Sequence, residues 1–125
     1  MERPDDLYFT ATHEWLLEEG DECLVGITDF AQQQLGSLVY VNLPEVGDGV
    51  TAGEAFCDVE SVKSDSDIIA PVSGTVTEIN EELLDSPELI NDDPYGAWLA
   101  KISPSGDRVK LLSGAEYDQL CENEA

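Results

Sequence analysis

Positive charge is almost absent from this 125-residue chain, which has 5 lysine and arginine residues against 28 aspartate and glutamate residues. The formal net charge of −23 makes nucleic acids and anionic membranes unfavourable partners, because both are negatively charged themselves. The acidic residues are spread along the whole chain, which argues against a disordered acidic tail. Repulsion among so many charges opposes compaction in dilute buffer and is screened in concentrated salt. The composition therefore predicts a halophilic protein.

Histidine, closely spaced cysteines and long apolar runs are also scarce. The single histidine, His13, cannot supply a histidine-cluster metal site or the usual catalytic sets. The cysteines Cys23, Cys57 and Cys121 are far apart and odd in number, so neither a disulfide framework nor a Cys-x-x-Cys site is expected. No segment approaches the roughly 18 apolar residues of a membrane span, and the first six residues are too polar for a signal peptide. We therefore expect a cytoplasmic protein that is not an enzyme and holds no metal.

The length predicts one domain, residues 1–125, with a core of its own. Short segments rich in β-branched and apolar residues alternate with glycine- and proline-containing turns, which is typical of mostly-β proteins. We predict strands at 8–11, 14–17, 22–27, 38–43, 54–60, 68–70, 75–79 and 98–102. The expected architecture is a small β-barrel or β-sandwich hybrid.

Three short helices are predicted around this sheet structure. The first follows Thr28, a good N-cap residue, and ends at Gly36. The second is capped by Asn80, and residues 85–95 after it are predicted as a loop. The third spans about 113–122, because Ser113 and Glu116 form a capping box at its start. The helices are therefore peripheral, with one closing the chain.

Lys63 is the only cationic residue between Arg3 and Lys101. It lies in a predicted hairpin over about 55–70, where an apolar run ends in a short polar tip and a second run begins. Its neighbours Val62 and Ser64 are small, so they leave the amine accessible. A hairpin of this kind presents one amine to solvent, and such an amine can be acylated. The sequence thus predicts Lys63 as an attachment site for a covalently bound group.

Several motifs, taken in order, resemble one protein family. Their order and spacing are those of the glycine cleavage system H proteins, which are lipoyl carriers, and the resemblance extends from about Tyr8 to Tyr117. The motifs are His13-Glu14-Trp15, Gly26-Ile27-Thr28-Asp29, Leu43-Pro44-Glu45-Val46-Gly47, Val59-Glu60-Ser61-Val62-Lys63, Ser66-Asp67, Ala70-Pro71-Val72-Ser73-Gly74 and Asp93-Pro94-Tyr95-Gly96.

The resemblance implies a lipoyl/biotinyl-carrier-like fold in which Lys63 bears lipoic acid in amide linkage. It implies a carrier that takes the aminomethyl group of glycine from glycine decarboxylase (P protein) to aminomethyltransferase (T protein). Electrons then pass to dihydrolipoyl dehydrogenase (L protein). A lipoate-attaching enzyme is a fourth implied partner, and the carrier is expected to be a monomer without catalytic activity.

The resemblance also implies roles for other residues. Glu60 would help the lipoate-attaching enzyme to select the hairpin; the alternative is a solvated turn carboxylate. Glu14 would meet the amine of the loaded arm in a cleft, since a carboxylate pairs with a protonated amine, and Asp67 and His13 are further candidates. The alternatives are an exposed strand acid for Glu14 and a structural role for His13.

Two departures from the family pattern concern this cleft and a neighbouring loop. Some relatives carry histidine in the helix after Thr28, where this chain has Phe30 and Gln34, so a polar contact from that helix is in doubt. The loop between Gly96 and Trp98 is shorter than usual in the family.

Four alternative functions fit a lysine at a hairpin tip to different degrees. Biotin carriers place methionine on both sides of the lysine, which Val62 and Ser64 do not match. Lipoyl domains of 2-oxoacid dehydrogenases usually have an acidic residue directly before the lysine and belong to longer chains. A lipoyl relay protein that donates lipoate to other complexes would have the same lysine tip, and this alternative stays open. An unmodified interaction scaffold would never be acylated on Lys63.

Overall fold

The computed structural model describes residues 4–124; Met1, Glu2, Arg3 and Ala125, which belong to the predicted domain of 1–125, lie outside this range. The strands are β1 (Tyr8–Phe9), β2 (Glu14–Glu19), β3 (Glu22–Ile27), β4 (Leu38–Asn42), β5 (Gly49–Val50), β6 (Ala55–Ser61), β7 (Asp65–Ile69), β8 (Val72–Ile79) and β9 (Ala100–Arg108). The helices are α1 (Asp29–Leu35), α2 (Glu82–Asp85), α3 (Leu89–Asp92) and α4 (Gly114–Glu124). The mostly-β class, the peripheral helices and the closing helix are confirmed.

The strands form two open antiparallel sheets. The larger has the order β1-β2-β3-β9-β8-β5, and the smaller has the order β4-β6-β7. The predicted lysine hairpin is the β6–β7 pair, in which Val59 lies opposite Ser66 and Glu60 lies opposite Asp65. Because β6 is the central strand of the smaller sheet, the base of the hairpin is hydrogen-bonded on both sides. The tip of the hairpin therefore projects from a supported strand.

The main apolar cluster lies between the two sheets and beneath α1 to α3. Both sheets contribute to it, and Ala31 and Leu35 pack on it from α1. Burial of such side chains contributes on the order of 25 cal/mol per Å² of apolar surface. Its buried members are Ile27, Leu38, Val41, Cys57, Val59, Ile68, Leu83, Ile90, Ala97 and Leu99. This cluster holds α1 against the β6–β7 hairpin.

A second apolar cluster fixes α4 against the larger sheet. The Tyr117 ring stacks on Phe9 with 4.7 Å between ring centroids, and Leu7, Trp15 and Leu112 complete the cluster. The predicted capping box is present: Ser113 N–H donates to Glu116 Oε1 at 2.9 Å, and Glu116 N–H donates to Ser113 Oγ at 3.2 Å. The closing helix is therefore anchored at its first turn and along one face.

Several local predictions were wrong. The strands predicted at 68–70 and 75–79 begin earlier, at Asp65 and Val72, and β5 was not predicted. Asn80 does not cap α2, because its side-chain amide donates to Trp98 O at 2.9 Å and α2 begins after Glu81 without a side-chain cap. The predicted loop 85–95 contains α3, whose Ile90 is fully buried. The last strand is Ala100–Arg108 and not 98–102. For Asn80 and α3, contacts with residues distant in sequence override the local pattern.

None of the three cysteines, all of which lie within residues 4–124, forms a disulfide bond. Cys23 and Cys57 are buried and Cys121 is partly buried. Burial raises the pKa of both Cys23 and Cys57, so these thiols stay protonated and unreactive. Within residues 4–124, no helix is both long and apolar enough to cross a membrane.

Candidate functional site

The tip of the β6–β7 hairpin, Val62–Ser64, is held by the side chain of Ser61. Ser61 Oγ accepts the backbone N–H of Lys63 at 3.2 Å and that of Ser64 at 3.1 Å. Ser61 N–H donates to Ser64 O at 2.8 Å, and Val62 N–H donates to Ser37 O at 3.0 Å. Local side-chain bonds of this kind fix a turn without any cover from the core. Sequence reasoning assigned no role to Ser61.

The Lys63 side chain is exposed, and no carboxylate of residues 4–124 lies within ion-pair distance of its Nζ. Lys101 is different, because its Nζ lies 3.4 Å from Glu78 Oε2 and 3.7 Å from Glu19 Oε1. The Lys63 amine is therefore exposed, and it is not paired with any described acidic side chain.

The Lys63 side chain passes close to Gly36, the residue that ends α1. A Cβ atom at Gly36 would come within 3.0 Å of Lys63 Cε. Gly36 has φ +82°, and its N–H donates to Gln32 O at 2.9 Å. Glycine adopts this conformation without the strain that a Cβ atom would add. One residue thus ends the helix and leaves room for the lysine stem.

A cleft of about 220 Å³ lies between α1 and the hairpin. It brings together three of the predicted residues, His13, Glu14 and Asp67, whereas Lys63 and Glu60 are not part of its lining. Its lining is Thr12, His13, Glu14, Ile27, Phe30, Ala31, Gln34, Leu35, Ser66, Asp67, Ile68 and Glu124. Leu35 precedes Gly36 in the chain, so the cleft wall reaches the helix end beside which Lys63 lies.

Glu14 is the buried acid of this cleft, with 2% of its surface exposed. The interpretation of Glu14 as an exposed strand acid is therefore wrong. Its Oε1 accepts hydrogen bonds from the Thr10 hydroxyl at 2.7 Å and from the Thr12 hydroxyl, and its Oε2 accepts Ile69 N–H at 3.3 Å. Burial raises the pKa of the Glu14 carboxyl, while the bonds from Thr12, Thr10 and Ile69 oppose this shift.

His13 links its own turn to two helices, α1 and α4, at one wall of the cleft. Its Nδ1 lies 2.7 Å from the Tyr117 hydroxyl, its Nε2 lies 3.1 Å from Glu124 Oε1, and its ring stacks on Phe30 at 4.7 Å. The Tyr117 hydroxyl also lies 2.6 Å from Thr28 Oγ1, the N-cap of α1. Both ring nitrogens of His13 are thus engaged by the protein, which favours the structural interpretation of this residue.

The remaining candidates lie at the rim or on the outer face. Asp67 is exposed and stands opposite Asp58 in the β6–β7 ladder. Gln34 lines the cleft, so α1 contributes a polar side chain there after all, in the form of an amide. Glu60 is half-buried on β6, opposite Tyr40 of β4. Across residues 4–124, no three His, Cys, Asp or Glu side chains are grouped so as to hold a metal ion.

Comparison with known proteins gives consistent matches. Residues 7–124 match the family model described as "Glycine cleavage H-protein". The glycine cleavage system H protein of Lachnoclostridium phytofermentans is 54% identical over 96% of this chain and 95% of its own length. That of Thermus thermophilus is 52% identical over the full length of both chains. The crystal structure of a glycine cleavage system H protein from Mycobacterium marinum superposes with a TM-score of 0.89 at 43% identity, covering 98% of this chain and 99% of that one.

Proposed function

The chain belongs to the glycine cleavage H-protein family, and from this premise we propose that it carries lipoic acid on Lys63 as the carrier subunit of a glycine cleavage system. The observation that carries the proposal is the exposed Lys63 amine, which projects from a tip fixed by Ser61 and forms no ion pair with a described acidic residue. A ligase needs such an amine, because it must approach Nζ without first breaking a salt bridge.

The residues around Lys63 fit a lipoyl group. The lysine stem has room beside Gly36, and the neighbouring cleft has apolar walls from Ile27, Ile68 and Leu35 with the Glu14 carboxylate at its base. When bound, the lipoyl group supplies a disulfide that accepts the aminomethyl group and electrons and later gives them up. Apolar walls suit the hydrocarbon part of such an arm and exclude water from the cargo.

The protein's own part in the process is positioning and protection. Ser61 holds the arm's origin, so that the tethered group reaches docked enzymes at an effective concentration on the order of millimolar. Glu14, buried at the cleft base, and Asp67, at the rim, accept hydrogen bonds from the protonated amine of the cargo. Glu60 stands on β6, one residue before Ser61, where a lipoate-attaching enzyme meets the hairpin. None of these groups makes or breaks a bond of the cargo.

The partners in this proposal are glycine decarboxylase, aminomethyltransferase, dihydrolipoyl dehydrogenase and a lipoate-attaching enzyme. The carrier is a monomer located in the cytoplasm. Its function is tested by reconstitution with glycine decarboxylase, which exchanges labelled bicarbonate with the carboxyl group of glycine only when it has an acceptor arm. We expect exchange with the lipoylated chain and none with the Lys63→Arg variant, while Lys110→Arg, which changes another exposed lysine, keeps full exchange.

The relay alternative gives a different result in the same assay. A protein that only donates lipoate would be lipoylated on Lys63 and would still support no exchange. Lipoylated chain without exchange therefore rejects the glycine cleavage role and leaves the attachment site intact.

We further propose that the net charge of −23 is an adaptation to concentrated salt. At about 1 M ionic strength the screening length falls to roughly 3 Å, so repulsion among the acidic side chains is largely removed. Thermal unfolding is then expected to occur at a higher temperature in concentrated KCl than in dilute buffer. Equal or greater stability in dilute buffer would contradict the adaptation.

A further inference from the structure

Thr10 is one of three polar side chains buried in the described part of the chain, together with Glu14 and Thr28. Thr28 has an evident structural role as the N-cap of α1. Thr10 lies just after β1, and 2% of its surface is exposed. Burying a hydroxyl group costs free energy unless the group is hydrogen-bonded. The hydrogen-bond partners of Thr10 therefore indicate why a hydroxyl lies at this position.

All of the hydrogen bonds of Thr10 stay within the turn of residues 10–14. Its N–H donates to Glu14 O at 3.0 Å, and its carbonyl accepts His13 N–H at 3.1 Å. Its hydroxyl accepts Glu14 N–H at 3.1 Å and donates to Glu14 Oε1 at 2.7 Å. The Thr12 hydroxyl donates to the same Oε1 and lies 3.3 Å from Thr10 Oγ1. Two hydroxyl groups thus converge on one carboxylate oxygen.

The two oxygens of Glu14 are therefore unequal acceptors. A carboxylate oxygen accepts about two hydrogen bonds, and Oε1 already receives two from hydroxyl groups. Oε2 receives one bond from the protein, the 3.3 Å contact with Ile69 N–H, so it keeps acceptor capacity. Glu14 lines the cleft, so Oε2 is the oxygen that still has an acceptor site for an amine bound there.

We propose that Thr10 and Thr12 are positioning residues that hold the Glu14 carboxylate ionised and oriented, with Oε2 open to the amine of the arm's cargo. This inference rests on the cleft role in the proposed function. Hydrogen bonds from the two hydroxyls stabilise the ionised form against the cost of burial. The other charged or titratable groups that face Glu14 are His13 on its own turn, Cys57 and Asp67 from the hairpin, and Glu124 across the cleft.

Thr10→Val keeps the shape of the side chain and removes its hydroxyl, and Thr10→Ser keeps the hydroxyl as a matched control. Because valine also leaves Glu14 N–H without its acceptor, Thr12→Val at an exposed position provides a second variant that preserves the buried packing. The Glu14 titration is followed by the ¹³C shift of its carboxyl carbon in the chain without lipoate, in concentrated KCl. Loss of the aminomethyl cargo is then measured in the loaded chain.

Both valine variants are expected to raise the pKa of Glu14 above its wild-type value, and Thr10→Ser is expected to leave it unchanged. Thr10→Val is expected to speed loss of the cargo about fivefold or more near the wild-type pKa of Glu14, the effect of losing one hydrogen bond to a charged group. An unchanged Glu14 titration in both valine variants would overturn the proposal. If the pKa of Glu14 is raised in the valine variants but the cargo is lost at the wild-type rate in both Thr10→Val and Glu14→Gln, the cleft role is refuted. The role of the two hydroxyls in holding Glu14 ionised would still stand.

Discussion

The hairpin tip and the cleft base each present one charged group, and they do so in opposite ways. Lys63 is exposed, engaged by no described acidic side chain, and positioned through the backbone N–H bonds that Lys63 and Ser64 donate to Ser61 Oγ. Glu14 is buried, receives hydrogen bonds from two hydroxyls and a backbone N–H, and is positioned through its carboxylate. A group that enzymes must modify is left accessible, whereas a group that must hold a cargo is fixed in advance.

Removal of the buried charge should have the largest effect on cargo retention. Glu14→Gln takes away a preorganised carboxylate, and we expect the aminomethyl cargo to be lost at least about tenfold faster, because truncating one member of a buried charge pair costs several kcal/mol. Asp67→Asn serves as the matched variant at the exposed rim, where an ion pair contributes about 1 kcal/mol or less, so we expect an increase of about threefold. Release of formaldehyde from the loaded chain measures both rates.

The order of these two rates is the informative result. Equal acceleration by Glu14→Gln and Asp67→Asn would show that burial gives Glu14 no special role. No acceleration in either variant would remove the cleft function altogether.

The contact between Gly36 and Lys63 should have an intermediate effect. Gly36→Ala places a Cβ in a backbone conformation with φ +82°, and Gly47→Ala does the same at φ +97° with nothing within 4 Å. We expect each change to lower the free energy of unfolding by about 1–2 kcal/mol, which urea denaturation measures. Only Gly36→Ala brings a new atom within 3.0 Å of Lys63 Cε, so it alone should slow lipoylation of Lys63, by a few fold.

Identical lipoylation rates in the two alanine variants would separate Gly36 from the attachment site. Its role would then be limited to ending α1.

Glu14 should also leave a small signature in the pH dependence of stability. Its folded pKa is raised by burial above the ordinary value of 4.5, so the folded state binds the proton more tightly than the unfolded state does. The contribution of Glu14 to the free energy of unfolding is therefore fully present below its unfolded pKa and is lost as the pH rises through its folded pKa. Glu14→Gln has no charge to bury, so we expect its stability relative to wild type to be greater at pH 7 than at pH 4.

Towards pH 4 this relative gain should disappear, because below the ordinary value of 4.5 Glu14 of the wild type becomes mostly protonated in both states. Urea unfolding at the two pH values measures it, with Asp67→Asn as the exposed control, for which we expect a change within about 0.5 kcal/mol at pH 7. A stability difference between Glu14→Gln and wild type that is the same at both pH values would contradict the account of the buried carboxylate.

The hairpin was predictable from sequence because its determinants are contiguous. Strand-forming residues, a polar tip and an isolated lysine all fall within residues 55–70, and the observed strands are Ala55–Ser61 and Asp65–Ile69. The capping box at Ser113 and the N-cap at Thr28 were predictable for the same reason. A structural feature can be predicted from the sequence when the residues that interact to form it lie within a few positions of each other.

The cleft base was not predictable in this way, because Glu14 owes its burial to distant segments. Ile69 is 55 positions away, and β2 is covered by elements from the other end of the chain. One local feature is nevertheless visible in the sequence: Thr10, Thr12 and Glu14 lie within five residues of each other, so one turn can bring the hydroxyls to the carboxylate. Similarly, α3 is stabilised by burial of Ile90 and not by its own four residues.

The central claim, that the Lys63 amine is the attachment point, is tested most directly by intact-mass analysis after coexpression with a lipoate ligase. Wild-type chain and the Lys110→Arg control should each gain the mass of one lipoyl group, and Lys63→Arg should gain none. A lipoyl group on the Lys63→Arg chain, carried by Lys101 or Lys110, would contradict the assignment.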